Sequence, residues 1–325
     1  MIFKITHTTT YDYADNVSLS HHLLRLRPRE LPHQRCLGYE VRIEPKPAVA
    51  EQHFDYFGNA VTFVTIEGPH RALMVKSVSE VAVTRPPAPV PAETPAWETV
   101  REFSRGRQIG QALAASEFIF DSPLIQTADD FGVYAAPSFP KGRPILEAVL
   151  NLTARIHHDF KFDPKATTLA TPLEEVFKNR RGVCQDFAQL EIACLRSLGL
   201  PARYVSGYLE TLPPPGKARL TGADASHAWV SFYCYGLGWI EVDPTNNLIP
   251  TTRHIAVARG RDFNDVSPLR GVILGAGDHT LKVAVDVVAV EETVEPTAAK
   301  TPSAEQTSSK REPNYGQRTP AKPEI

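Results

Sequence analysis

The chain of 325 residues has no run of about 18 consecutive apolar residues, so no helix of it is expected to cross a membrane. Its amino terminus, MIFKITHTTTYDY, lacks an apolar h-region and a small-residue cleavage pattern, and does not read as a signal peptide. Cysteine is scarce. The four residues Cys36, Cys184, Cys194 and Cys234 share no CxxC spacing. They argue against a disulfide frame or a zinc site and suit free thiols in a reducing, cytoplasmic setting. Excess charge is also missing: 35 basic residues stand against 37 acidic ones, a net charge of −2. Neither nucleic acid nor an anionic membrane is therefore an expected partner. No DxDxDG loop occurs, which removes the usual calcium-loop signal. The pairs His21-His22 and His157-His158 have no third ligand at a suitable spacing, and they read as solvated or structural histidines. No metal and no cofactor is expected.

What is present divides along the chain. Residues 1–85 read as an antiparallel β-domain. In CLGYEVRIEP, Leu37, Tyr39, Val41 and Ile43 alternate with polar residues and are expected on one face. Gly58-Asn59, between two β-rich runs, signals a two-residue hairpin. Residues 86–96 are a Pro-rich linker, with five prolines in PPAPVPAETP. Helical patterns then dominate to about residue 200. Ile145, Val149, Leu152 and Ile156 form one helix face behind Pro144. TPLEEVF carries a start signal in which Thr171 caps, Pro172 takes the first helical position and Glu174 closes a capping box. The β-rich runs ARYVSGYL, HAWVSFYCY and GWIEVDP follow, the first two separated by a long polar insert. Helices followed by strands make an α+β core over 97–290, not a repeating βαβ pattern. The run 281–290 is a further strand that either extends this core or returns to the first domain. Residues 291–325 are too polar to build a core and are expected to be a disordered tail.

Within RRGVCQDFAQL the thiol of Cys184 sits where a helix opens, whereas Phe187, Leu190, Cys194 and Leu198 mark that helix's apolar face. Cys194 is accounted for as core; so is Cys234, inside a β run. Cys36 has no suggestive partner. A thiol attacks as thiolate, and the unpaired N–H groups and partial positive charge of a helix start favour that form. A neighbouring imidazole favours it further, and the same N–H groups can hold an oxyanion. His227 in ASHAWVSFY and Asp243 in GWIEVDPTNN supply the missing base and its orienting carboxylate, provided that a loose hairpin with an offset brings them side by side. Each has a plainer reading. Cys184 could be a small buried hydrophobe, His227 a satisfied strand histidine, and Asp243 a turn former before Pro244. Asp186 and Gln185 could tune the thiol or contact substrate, and Asp186 equally suits a first-turn carboxylate on the helix dipole. Trp229 and Trp239 read as core or cleft wall.

The segments RRGVCQDFAQLEIACLRSLGLPARYVSGYL, DASHAWVSFY and GWIEVDPTNN resemble the transglutaminase-like superfamily, in the bacterial branch that includes transglutaminase-like enzymes and cysteine proteases. HIAVARGRDFNDVSPLRGVILG and the amino-terminal β region are similar to the same branch, so the resemblance covers about residues 1–290. It implies a papain-like fold in which a nucleophile helix packs on an antiparallel sheet. It also implies a nucleophile, a general base and an orienting carboxylate, which fall on Cys184, His227 and Asp243. Animal members add β-barrel domains and calcium sites that find no counterpart here. The expected activity is acyl transfer from an amide bond of a protein or peptide substrate, with hydrolysis ahead of transamidation because water needs no second binding site. The alternatives are a protein-glutamine transamidase and a non-catalytic scaffold that keeps the fold.

Overall fold

The computed structural model describes residues 1–106, 110–211, 226–275 and 277–290. The polar insert and the expected disordered tail lie outside these residues, apart from the first two and the last residue of the insert.

Two long strands, β1 (Ile2–Leu24) and β4 (Ala60–Val83), run antiparallel along nearly their whole length. Alternation drives the first of them, since Phe3, Ile5, His7 and Thr9 turn inward while their neighbours face out. On the outer side of β4 lie β2 (Gln34–Glu44) and β3 (Val49–Phe54). The register between β2 and β4 shifts between Cys36 and Gly38, so Leu37 is the extra residue of a bulge and faces solvent. Tyr39, Val41 and Ile43 still pack on the sheet's core. The turn at Gly58-Asn59 is not a two-residue hairpin: Phe54 pairs with Ala60, and residues 55–59 form a loop. Asp55 holds it by accepting the N–H groups of Phe57 and Asn59.

After the Pro-rich segment, which is irregular except for one 3₁₀ turn at Pro91–Glu93, come α1 (Trp97–Arg105), α2 (Gln111–Ser116), α3 (Asp129–Ala135) and α4 (Ile145–Asp159). Pro144 caps α4, and Ile145, Val149, Leu152 and Ile156 are buried as one face. The short strand β5 (Lys161–Phe162) precedes α5 (Leu173–Asn179) and pairs in parallel with β6 (Arg181–Gly182). The cap of α5 is Pro172, without a side-chain bond; Thr171 instead accepts the N–H of Thr168 in the preceding turn.

The helix α6 (Cys184–Ser197) packs against the sheet formed by β7 (Ala202–Leu209), β8 (Ser226–Cys234), β9 (Gly238–Val242) and β10 (His254–Gly260), in the order β10-β7-β8-β9 and antiparallel throughout. Phe187, Leu190 and Cys194 of α6 meet Val230, Phe232 and Cys234 of β8 in one apolar core. A single turn, α7 (Phe263–Val266), leads to β11 (Leu269–Gly275) and β12 (His279–Val290). Both pair with β1, β12 along Ile2–Tyr13 and β11 along Val17–Leu24. The run 281–290 therefore returns to the amino-terminal sheet.

The two sheets share a core in which Phe3, Ile5, Val81 and Val83 meet Tyr208, Ile255 and Val257. Side-chain amides finish the contact along β10. Gln34 donates to the carbonyl of Ala256 and accepts its N–H, at 2.8 Å each, and Asn59 does the same with Arg259. Each amide copies a strand neighbour and so satisfies backbone groups that an edge strand would otherwise leave unpaired.

Candidate active site

The start of α6 is built by a glycine and an aspartate. Asp186 folds back so that its Oδ2 accepts the N–H of Val183 at 2.8 Å and the hydroxyl of Thr167 at 2.7 Å. This folding requires Gly182, because a Cβ there would lie 2.6 Å from the same Oδ2. Burial raises the Asp186 pKa, opposed by those two hydrogen bonds. Of its two readings, the geometry fits the first-turn carboxylate, which here also accepts the N–H of Val183. Gln185, in contrast, lines the cleft. Arg180, upstream of the thiol, stacks on Phe177, Phe160 and Tyr134 instead of approaching it.

Cys184 is the first residue of α6 and is half-buried, whereas Cys194 and Cys234 are fully enclosed. His227 comes from the opening of β8. The pairing of Val230 with Val242 sets Trp229 opposite Asp243, which leaves His227 as the diagonal neighbour of Asp243 on the same face. This is the required offset. Nε2 of His227 lies 2.7 Å from Oδ2 of Asp243, and the ring is also hydrogen-bonded to the Cys184 thiol, for which Nδ1 remains. Burial by itself lowers the His227 pKa. The bonds to Asp243 and Cys184 outweigh it, so the imidazole holds its proton well above the ordinary histidine range.

Asp243 has contacts that fit both of its readings, the turn and the histidine partner. Oδ1 closes the turn after Pro244 by accepting the N–H groups of Thr245 and Asn246. Oδ2 takes Nε2 of His227, the Asn246 amide at 2.7 Å and Nε2 of His254 at 3.1 Å. Burial raises its pKa, but these donors prevail and hold the carboxyl far below the usual carboxylate range. Asn246 and His254 are the partners that sequence reasoning missed. Asn246 lay inside a quoted motif, three residues past the aspartate. His254 opens a strand that is buried almost throughout, and only its depth marks it.

His227, Asp243 and His254 are close enough to suggest a metal centre. The donor chemistry points to a hydrogen-bond network instead. The N–H of Thr251 donates to Nδ1 of His254, so the proton sits on Nε2, which faces Asp243 as a donor and not as a lone pair. Burial lowers the His254 pKa and keeps the ring neutral in that tautomer.

The thiol opens into a cleft of about 400 Å³ whose walls come from both sheets. Ser206 and Ala228 belong to the core sheet, while Thr9, Tyr11, Leu281 and Val283 are supplied by β1 and β12.

A nucleophile-type helix start facing a histidine and carboxylate on an antiparallel sheet is the architecture of the papain-like group. Two family profiles match the chain. The bacterial transglutaminase-like N-terminal region covers residues 3–82, and the transglutaminase-like superfamily core covers 135–244. The chain belongs to the transglutaminase-like superfamily. Uncharacterized proteins of Mycobacterium tuberculosis and Mycobacterium bovis are 41% identical to it over 297 residues, spanning 89% of this chain and 93% of theirs. A protein-glutamine gamma-glutamyltransferase of Pseudomonas aeruginosa is 35% identical over 107 residues, 30% of this chain and 16% of that enzyme. In three dimensions the chain is similar to the crystal structure of a "Putative Cysteine Protease" from Cytophaga hutchinsonii. The TM-score is 0.67 at 22% identity, covering 90% of this chain and 92% of that one, and this likeness concerns the fold.

Proposed function

We propose that the protein is a cysteine enzyme that cleaves amide bonds through an acyl-enzyme, with Cys184 as nucleophile, His227 as general base and acid, and Asp243 as the orienting carboxylate. The observation that carries this reading is the His227 ring, hydrogen-bonded to Asp243 on one side and to the thiol on the other. Sγ attacks the carbonyl carbon as the thiolate of an ion pair whose proton His227 already carries. Backbone N–H groups at the start of α6 stabilise the oxyanion. His227 then protonates the leaving amine, the C–N bond breaks, and a thioester remains. A water molecule, deprotonated by His227, attacks that thioester and releases the acid. The fixed charge of Asp243 stabilises the imidazolium that forms at each transfer.

The substrate is a peptide or protein segment with an apolar side chain near the scissile bond, because Tyr11, Phe162, Leu169, Leu281 and Val283 gather around the thiol. The reducing setting inferred from four unpaired cysteines suits such an enzyme. Transamidation is the second reading, favoured by the likeness to a glutamyltransferase over 107 residues. It shares every step up to the thioester and replaces water by an amine.

The test is to quench the enzyme in acid during incubation with a peptide library and to map adducts by mass spectrometry. The expected result is an acyl group on Cys184 that is absent from Cys184→Ala, with free acid as the product in water. If an added primary amine diverts nearly all product to the amide, the second reading takes over. An enzyme that turns peptides over with no adduct on Cys184 refutes both.

A further inference from the structure

β9 gives Ile240 and Val242 to the core around α6, and alternation turns Glu241 to the opposite face. There its Oε1 accepts from Arg259 of β10 at 2.8 Å and its Oε2 from Arg85 of the Pro-rich segment at 2.9 Å. All three side chains are nearly buried. Burial raises the Glu241 pKa, but the two guanidiniums prevail and lower it to about 2, so the carboxylate is charged and fully engaged.

A third guanidinium stands in the same place without a counter-charge. The guanidinium of Arg203, on β7, lies over the Trp239 ring with Cζ 3.8 Å from its centroid, and the side chain makes no hydrogen bond or ion pair among the described residues. Its Nε is buried and unpartnered, as are Nε of Arg85, Nε of Arg259 and Nε2 of His33. Burial, with repulsion from Arg259 and Arg29, pushes the Arg203 pKa far down, whereas Glu241 alone pulls it up. Arginine does not give up its proton in proteins, so this stress is that of a cation awaiting an anion. Three guanidiniums share one carboxylate, and the local sum is two positive charges.

These groups line a cavity of about 740 Å³, rimmed by Pro86, Pro87, Leu237, Ile249 and Pro250. It shares no residue with the thiol cleft. We propose that this cavity is a binding site for an organic anion, with a carboxylate or phosphate head held by Arg85, Arg203 and Arg259 and an apolar body against Trp239 and the proline rim. Planar guanidinium forks match both head groups bidentately, and stacking on the indole leaves the N–H edge of Arg203 free to donate. A cavity far larger than one ion, with apolar walls, selects an anion attached to a carbon skeleton over an inorganic one.

Calorimetry on the full chain with phenyl phosphate, benzoate and benzyl alcohol at constant ionic strength tests the site, because the three probes differ in their head groups. Saturable binding is expected for phenyl phosphate, benzoate or both, and none for the alcohol; which anion binds more tightly tells phosphate from carboxylate. Arg203→Gln is expected to weaken binding by about tenfold or more, while Cys184→Ala leaves it unchanged. A melting temperature raised by the anion and not by the alcohol gives the same answer without a variant. Trp239→Phe keeps a ring beneath Arg203 and reads the location, since the anion-induced fluorescence change disappears with the indole. The proposal falls if neither anion binds at millimolar concentration, if Arg203→Gln binds equally well, or if the fluorescence change survives in Trp239→Phe.

Discussion

Asp243 divides its two oxygens between a turn and a histidine, and this division decides what its replacement does. In Asp243→Asn the side-chain oxygen can still close the turn at Thr245 and Asn246, but an amide placed toward His227 is a donor facing a donor. Turnover is expected to fall by about 10²–10⁴-fold with little change in substrate binding, as measured by kcat and KM separately. His254 acts through Asp243 and is a positioning residue. His254→Gln retains a donor and is expected to keep most of the activity. His254→Leu leaves Oδ2 short of a donor and is expected to lower kcat more than it changes KM. Equal kcat in both variants would remove His254 from the account. Cys194 is the contrasting thiol. Cys194→Ala creates a small cavity in the core, expected to cost on the order of 1 kcal/mol in denaturant unfolding while the rate per folded molecule holds.

At the scale of the element, α6 carries more than the thiol. Glu191, two turns beyond Cys184, is wholly enclosed, and burial, opposed by the Thr153 hydroxyl and reinforced by the charge of Asp243, raises its pKa to about 8. Thr153 Oγ1 lies 2.9 Å from the Val149 carbonyl and 2.7 Å from Glu191 Oε1. A hydroxyl has one proton; if it goes to the carbonyl, Glu191 must be protonated and donate. The folded state then holds this proton more tightly than the unfolded chain, whose carboxyl titrates at the ordinary value of 4.5. The stabilisation is complete below that value and is lost as pH climbs toward 8, at a slope of up to about 1.4 kcal/mol per pH step. Glu191→Gln is expected to remove this slope, matching wild type near pH 4 and exceeding it at pH 8 in urea titrations. A difference between the two proteins that does not vary with pH would show that the carboxyl is ionised in the fold.

Elements were also where the sequence was most and least legible. The face of α4 follows from apolar spacing, because that helix buries one stripe, whereas α6 is buried on every side from Asp186 to Arg196 and the spacing of Phe187, Leu190 and Cys194 marks only part of what it encloses. The bulge at Leu37 was hidden because alternation in CLGYEVRIEP continues on either side of it, and only the pairing with β4 reveals the extra residue. The cap at Thr171 failed for a related reason. The signal was present, but the hydroxyl serves the turn before the helix. At the site, Cys184, His227 and Asp243 could be read because each sits in a distinctive local motif. His254 reaches Asp243 only through the stagger of β10 on β7, a relation between strands that no local pattern encodes.

For the molecule as a whole, the amino-terminal sheet is part of the cleft. β1 and β12 bring Tyr11, Leu281 and Val283 to the thiol, and β1 is held between β4 on one side and β11 and β12 on the other. A chain ending after Val290 keeps every described strand and is expected to melt as the full protein does. One ending before Leu269 loses β11 and β12, leaves one edge of β1 unpaired and is expected to unfold or aggregate, as read by circular dichroism and gel filtration. A folded, active protein from the shorter chain would separate the cleft from the sheet.

The central claim is that Cys184 and His227 act as a pair oriented by Asp243. Its most direct test is the rate of iodoacetamide alkylation at each cysteine, followed by mass spectrometry from acid to alkaline pH, in wild type, His227→Ala and Asp243→Asn. The account predicts that Cys184 labels faster than Cys36, Cys194 and Cys234 near neutral pH. It also predicts that His227→Ala removes this advantage and that Asp243→Asn reduces it. A Cys184 profile that is the same in all three proteins would contradict it.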